Sequence, residues 1–375
     1  MSQDTVPPDL DAVNDDLYQR GSTDGHVVVP PTEDRLEEML RGTDLARDHE
    51  LATFGNREGV LTVEKLAINA IMAGCRPIHL PVVIAGVRAL ADPMSNAIQV
   101  SVSTGSWAYF WLVNGPVRHD LDIGHDVGAF GPYYQSNLVI GRALGMAYKN
   151  TALIHPSEKD MGVQGNPAKF SLIAGENEEA SPWEPVHVTE GYDADESTIT
   201  FGGPNSFAQY SNRRDPEPLA VLSEMIEYIP ASMVGKRRES YQAWIIHALS
   251  PDNANILADA GISKQDVKEY IAGNAIIDGT GRSLLEFITR QGNNAMGGGP
   301  DAELPDILQY RIDEPDLLKV PVIGGSGREN VVIGPALGGP VTKAIEFPDA
   351  WDTLLEEYRT DRSTEAGGHD WITNQ

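Results

Sequence analysis

Apolar residues concentrate in one stretch, LTVEKLAINAIMAGCRPIHLPVVIAGVRALAD, which runs from Leu61 to Asp92. Val63, Leu66, Ala67, Ala70 and Ile71 repeat there with helical spacing, behind an N-cap type of residue, Thr62. Gly74 is a natural stop for that helix, and Pro77 a natural first residue for a second one. Elsewhere the patterns are shorter. Residues 27–29 predict a short strand and residues 32–40 a helix with an acidic start. The alternation IQVSVS over 98–103 predicts a strand. The dense run WAYFWLV over 107–113 predicts a buried strand, ended by the turn chemistry of Asn114-Gly115-Pro116. A glycine-rich loop covers 124–132. A helix with internal glycines covers 136–148, and those glycines signal close packing or approach to a ligand. Short strands follow at 170–174 and 198–201.

After the polar, proline-bearing segment 213–218, helical patterns predominate, at 219–228, 241–249, 253–260, 264–272 and 283–289. Gly324-Gly325-Ser326-Gly327 lies between predicted strands at 318–323 and 330–333 and reads as a tight hairpin turn. A last helix is predicted over 349–358. The expected fold class is α/β, a mixed layered fold with a more helical C-terminal half. It divides into a disordered acidic N-terminus (1–25), an α/β lobe carrying Cys75 (26–212), a mostly helical lobe (213–359) and a disordered tail (360–375).

Composition alters this picture through charge. The 375 residues carry a formal net charge of −27, with 55 acidic residues against 28 basic ones. Acids are spread along the whole chain and lysine is scarce, which is the look of a protein from a high-salt cytoplasm. An acidic face for a basic partner is the alternative. No basic stripe offers itself to phosphates, so nucleic-acid binding is not expected. No uninterrupted apolar run is long enough for a membrane span, and the acidic start is no secretory signal. With a single cysteine, no internal disulfide forms, and a cytoplasmic location is expected.

Candidate chemistry begins at Cys75, placed just before a predicted helix N-terminus, where the dipole favours a thiolate. Arg76 and His79 stand nearby and can add positive charge. The opposing reading is a small buried hydrophobe. Asn114 and Arg118 follow the buried strand, as a ligand-orienting amide and an anion clamp, or as a turn with a solvated arginine. His119, Asp122, His125 and Asp126 are metal-ligand types, but their spacing matches no metal motif. Glu176, Glu178, Glu179 and Glu184 crowd one loop and supply a general acid or base, or only a hydrated surface. The glycine-rich turn lacks both the nucleotide and the dinucleotide pattern.

Four segments together, TVEKLAINAIMAGCRPIHLPVVIAGVRAL, VNGPVRHDLDI, AFGPYYQSNLVIGRALG and FSLIAGENEEASPWEPVHV, resemble a poorly characterised prokaryotic family with an AINAxMAGC motif. That family is associated with UGSC-type selenoproteins or thiol proteins. The resemblance spans about residues 61–203 and, more faintly, the turn near Gly324. It implies a thiol-linked or redox system acting on an unidentified small molecule. It also implies a shared site near Cys75, Asn114, Gly115, Pro116, Arg142, Lys169, Glu176, Asn177 and Glu178. The chain has no UGSC motif of its own and no second thiol, so a two-thiol mechanism within it is excluded. His119 and His125 fall outside the family pattern, which speaks against a metal, and no metal is expected.

The expected function is a cytoplasmic enzyme with a nucleophilic or redox-active Cys75, an oxidoreductase or a lyase or transferase, acting on a small anionic metabolite. His79, Glu176 or Glu178 would move protons, and Arg76, Asn114, Arg118, Arg142, Lys169 and Asn177 would bind substrate. The alternative is a non-catalytic subunit that binds a separate UGSC-type thiol or selenol protein. Residue patterns name no cofactor and leave a homo-oligomer open.

Overall fold

A computed structural model describes residues 10–54, 59–212, 216–229, 237–238, 241–242, 244–275 and 314–359. Helices α1 (Leu10–Gln19) and α2 (Glu33–Leu40) lead to a hairpin of β1 (Glu50–Phe54) and β2 (Gly59–Thr62). The Thr62 hydroxyl then caps α3 (Val63–Ala73) by accepting the Lys65 N–H. Gly74 ends α3 at φ +94°, and the Cys75 N–H donates back to Ala70 O at 2.9 Å. One turn later α4 (Leu80–Ala91) leaves at a bend of 119° from α3. Next come α5 (Ala97–Val102), β3 (Phe110–Asn114), α6 (Val117–Asp120), α7 (Gln135–Ala152), β4 (Ile173–Gly175), α8 (Val186–Thr189), β5 (Thr198–Gly202) and β6 (Phe207–Ser211). The chain continues through α9 (Pro218–Glu227), the short pair β7 (Arg237–Arg238) and β8 (Tyr241–Gln242), β9 (Trp244–Ala248), α10 (Pro251–Asp259) and α11 (Lys264–Asn274). It closes with β10 (Leu318–Lys319), β11 (Glu329–Ala336), β12 (Val341–Ala344) and α12 (Trp351–Tyr358).

Two four-stranded sheets carry the α/β fold. The first has the order β12-β5-β3-β4, with β3 and β4 parallel; the second has the order β10-β9-β11-β6. All five residues of β3 are buried because both faces are covered. Trp111 and Val113 face the core shared with α3, α4 and α7. Phe110 and Leu112 face the core shared with β9, β11 and α9–α11. A Cβ on Gly202 would lie 2.4 Å from the Trp244 ring, so a glycine is what lets the second sheet seat on the first. Among the described residues no single helix is long and apolar enough to cross a membrane. Helices α3 and α4 are apolar because they form the core, where Leu66, Ala67, Val82 and Val83 are fully buried.

Several expectations change. The expected strand at 98–103 is helix α5 up to Val102: Ala97, Val100 and Ser101 are buried at helical spacing, while Ile98 and Val102 are exposed. Residues 27–29 form no strand; Val28 N–H bonds Asn14 Oδ1 and Val29 N–H bonds Met72 O. Within 241–249 the run WIIHA is strand β9, buried throughout, and a continuously apolar run does not reveal its period. The glycine-rich turn is no hairpin, since β9 lies between β10 and β11. Residues 10–25 are packed rather than disordered: α1 is a helix, Lys149 Nζ donates to Gly21 O, and Asn150 Nδ2 to Ser22 O. Residues 213–359 are no separate lobe, because β12 completes the first sheet and Arg76 Nη1 reaches back to Tyr358 O on α12. The described residues of 213–359 hold six strands beside four helices, which does not confirm the expected helical bias. The expected helix at 283–289 and tail at 360–375 lie outside the described residues.

Candidate functional site

Because β3 and β4 run parallel, their carboxyl ends meet, and this is where ligands gather in α/β sheets. Asn114 ends β3 and Glu176 follows β4; both are fully buried. Asn114 Nδ2 donates to Glu176 Oε2 at 2.7 Å and to Glu178 Oε1 at 3.0 Å. The N–H groups of Gly115 and Val186 add bonds of 2.8 Å to Glu178 and Glu176. Arg118, with a side chain only 2% exposed, donates to Glu176 O at 2.6 Å and pairs with Glu178 at 2.9 Å and Glu179 at 3.0 Å. Lys264 Nζ stands 3.6 Å from Glu176 Oε1. Glu176 Oε1 and Asn114 Oδ1 are buried without a hydrogen-bond partner among the described residues. Asn177 ties this loop to the glycine-rich turn through Gly324 O, at 2.9 Å.

On the rim, Glu179 Oε1 lies 2.8 Å from His119 Nε2. Burial raises the Glu179 pKa, but the hydrogen bonds from Arg118 and His119 outweigh it and hold the carboxyl near 2. His125 Nδ1 lies 2.7 Å from Ile123 O, and its ring meets that of His119 edge-on at 4.9 Å. One ligand atom from each of His119, His125 and Glu179 falls within 4.8 Å of the others. The sequence set His119 and His125 beside Asp122 and Asp126, which lie outside this group.

Cys75 is buried, and its Sγ lies 3.4 Å from Val139 O. Burial pushes its thiol well above the usual range, against a smaller opposing effect of Arg142. The expected thiolate therefore meets the wrong surroundings: the helix start is there, but the sulfur turns into the core. His79 is buried too, and burial, with Arg76 nearby, lowers its pKa to about 3. Its Nδ1 accepts the Arg76 N–H at 2.9 Å, so Nε2 carries the proton, toward Ser136 Oγ at 3.2 Å. Ser136 in turn donates to Leu121 O. His79 thus holds a turn, and Arg76 anchors α12; neither faces a substrate space shared with Glu176.

Arg142 and Lys169 lie at the opposite end of the sheet. They line a cavity of about 600 Å³ together with Lys149, Tyr109, His155 and Phe170. Tyr109 precedes β3 whereas Asn114 ends it, so about 17 Å of strand separates the two centres. The single site expected from the resemblance is therefore divided in two. Arg142 holds Asp24 through bonds of 2.6 and 2.8 Å and stacks over the Phe170 ring at 5.8 Å. Burial raises the Asp24 pKa, but Arg142 more than offsets it, and the net shift is downward. Lys169 pairs with Asp160. Burial lowers the Lys149 pKa, which Asp24 partly opposes.

Lys149, His155 and Lys264 carried no sequence signal, being single residues on otherwise ordinary helix or loop patterns. Glu179 was visible in the acidic run, but its pairing with two histidines some sixty positions earlier was not. No protein-family model matches the chain, and no curated protein sequence does either.

Proposed function

We propose that the chain is an enzyme of small-molecule metabolism that takes a small anionic metabolite into the cavity of Arg142, Lys149 and Lys169. The observation that carries this reading is the convergence of three cations on one cavity, in a chain with a net charge of −27. Two carboxylates, Asp24 and Asp160, leave the lining with a formal surplus of positive charge. The cavity volume is in the range of ligand pockets, and Phe170 and Met146 add apolar wall. An incoming carboxylate or phosphate would exchange with Asp24 or Asp160 for the fork of Arg142 and the ammonium of Lys169. Lys149, whose pKa burial lowers, is the lining cation suited to give up a proton. The thiol route gains no support from a buried Cys75.

Calorimetry against a panel of mono- and dicarboxylates and phosphate esters tests the reading. At least one class should bind, and Lys169→Gln and Arg142→Gln should each weaken it by roughly tenfold or more, as expected for loss of a charged hydrogen bond. Absence of binding across the panel, or binding indifferent to both changes, overturns it. In parallel, iodoacetamide should label Cys75 slowly in the native chain and quickly after unfolding. Fast native labelling near neutral pH would return the thiol enzyme to first place.

A further inference from the structure

We propose that His119, His125 and Glu179 bind one divalent transition-metal ion of the zinc class, at the carboxyl end of β3 and β4. The donor set is two imidazoles and a carboxylate, the chemistry preferred by Zn²⁺ and its borderline neighbours over Mg²⁺ or Ca²⁺. The ligand atoms already lie within 4.8 Å of one another. Glu179 and His119 are exposed, and His125 half-buried, so their side chains are free to close on an ion at about 2.0–2.2 Å.

The surroundings provide the outer contacts that such ligands use. Ile123 O takes His125 Nδ1 at 2.7 Å, which leaves Nε2 for the ion. The Gly324 N–H holds His125 O at 2.8 Å, and Gly325 sits against Val127 where no Cβ would fit, so the histidine loop is pinned from behind. Arg118 Nη1 donates to Glu179 Oε2 at 3.2 Å, so that carboxylate keeps its anchor when Oε1 turns from His119 to the ion. Arg118 Nη2 retains Glu178 as partner. Glu176, Glu178 and Glu179 outnumber Arg118 and Lys264 by one formal charge, which favours a cation. Three protein ligands leave a coordination position for water or a second ligand.

Equilibrium dialysis of the full chain, first stripped with a chelator, tests this directly with Zn²⁺, and the visible bands of bound Co²⁺ report the geometry. The wild type should take up one Zn²⁺ per chain. His119→Ala and His125→Ala should each weaken uptake by roughly 100-fold or more. Asp122→Asn and Asp126→Asn, neighbours in sequence but outside the group, should retain it. Melting curves of the histidine variants without metal should match the wild type, since one side chain is exposed and the other half-exposed. No uptake of Zn²⁺, or uptake unchanged by both histidine substitutions, overturns the proposal.

Discussion

A buried histidine with one acceptor duty and one donor duty has little use for a second proton. His79 is such a residue: Arg76 N–H occupies Nδ1, and burial holds its pKa near 3. His247 also stays neutral, since burial lowers it to about 3, although only its Nδ1 is engaged, by Tyr210, and Nε2 has no partner among the described residues. In the unfolded chain both take a proton below about pH 6.5. Below that value the unfolded state binds more protons than the folded one, so stability falls as the pH falls toward 3. Each histidine contributes up to about 1.4 kcal/mol per pH unit over that window. Urea unfolding at pH 7 and pH 5 should show the loss. His79→Asn, which keeps an acceptor for Arg76 N–H, should reduce the slope; an unchanged slope would show that His79 is not buried neutral. The same residues mark the limit of sequence reading at this scale. Position relative to a helix start was legible for Cys75 and His79, whereas the direction of each side chain depends on α7, which packs over them from sixty residues away. Asn114 and Arg118 were legible at the end of one strand, and Glu176 and Glu178 as an acidic run after another; only the resemblance put Asn114, Glu176 and Glu178 at one site, and it left Arg118 out.

Among the elements, α7 shows what glycine does inside a helix. A Cβ on Gly141 would fall 2.2 Å from Ser171 Oγ and 3.2 Å from its Cα, while one on Gly145 would stand 3.4 Å from Lys169 O. Ser171 also donates to Asn137 O on α7, so the segment before β4 lies directly on the helix. Alanine gains about 1 kcal/mol of helix propensity over glycine at either place. At position 141 the overlap should exceed that gain, and Gly141→Ala should destabilise by about 1–3 kcal/mol. Gly145→Ala should be neutral or slightly stabilising. Thermal unfolding of the two variants checks this, and equal effects would mean that α7 moves freely over residues 169–171. The glycines had announced close approach from sequence alone, but not which neighbour approaches. Elements with one exposed face were legible by period, as α3 and α9 were. β9, buried on all sides, was not, because nothing polar marks an outer face, and α5, though it has an exposed face, mimics an alternation.

For the whole molecule, charge and connectivity set the behaviour. With −27 net charges, self-repulsion opposes the compact state, and salt screens it over about 10 Å at 0.1 M and 3 Å at 1 M. The melting temperature should therefore rise from dilute buffer to molar KCl, and a flat profile would count against that account. The sheet order was beyond sequence reading because it joins distant segments: Val341 pairs with Phe201, and Ala344 with Thr198. That pairing has a consequence for biosynthesis. At about 5–20 residues per second, β5 emerges from the ribosome roughly 7–28 s before the strand that flanks it. During that interval one margin of the nascent sheet is an open row of donors and acceptors, available to any neighbouring chain. Thr198, Thr200 and Gly202 on β5 give that margin polar or minimal side chains. In a chain made in this order, the hazard of stray pairing opens near the midpoint of synthesis and closes only when residues 341–344 have emerged.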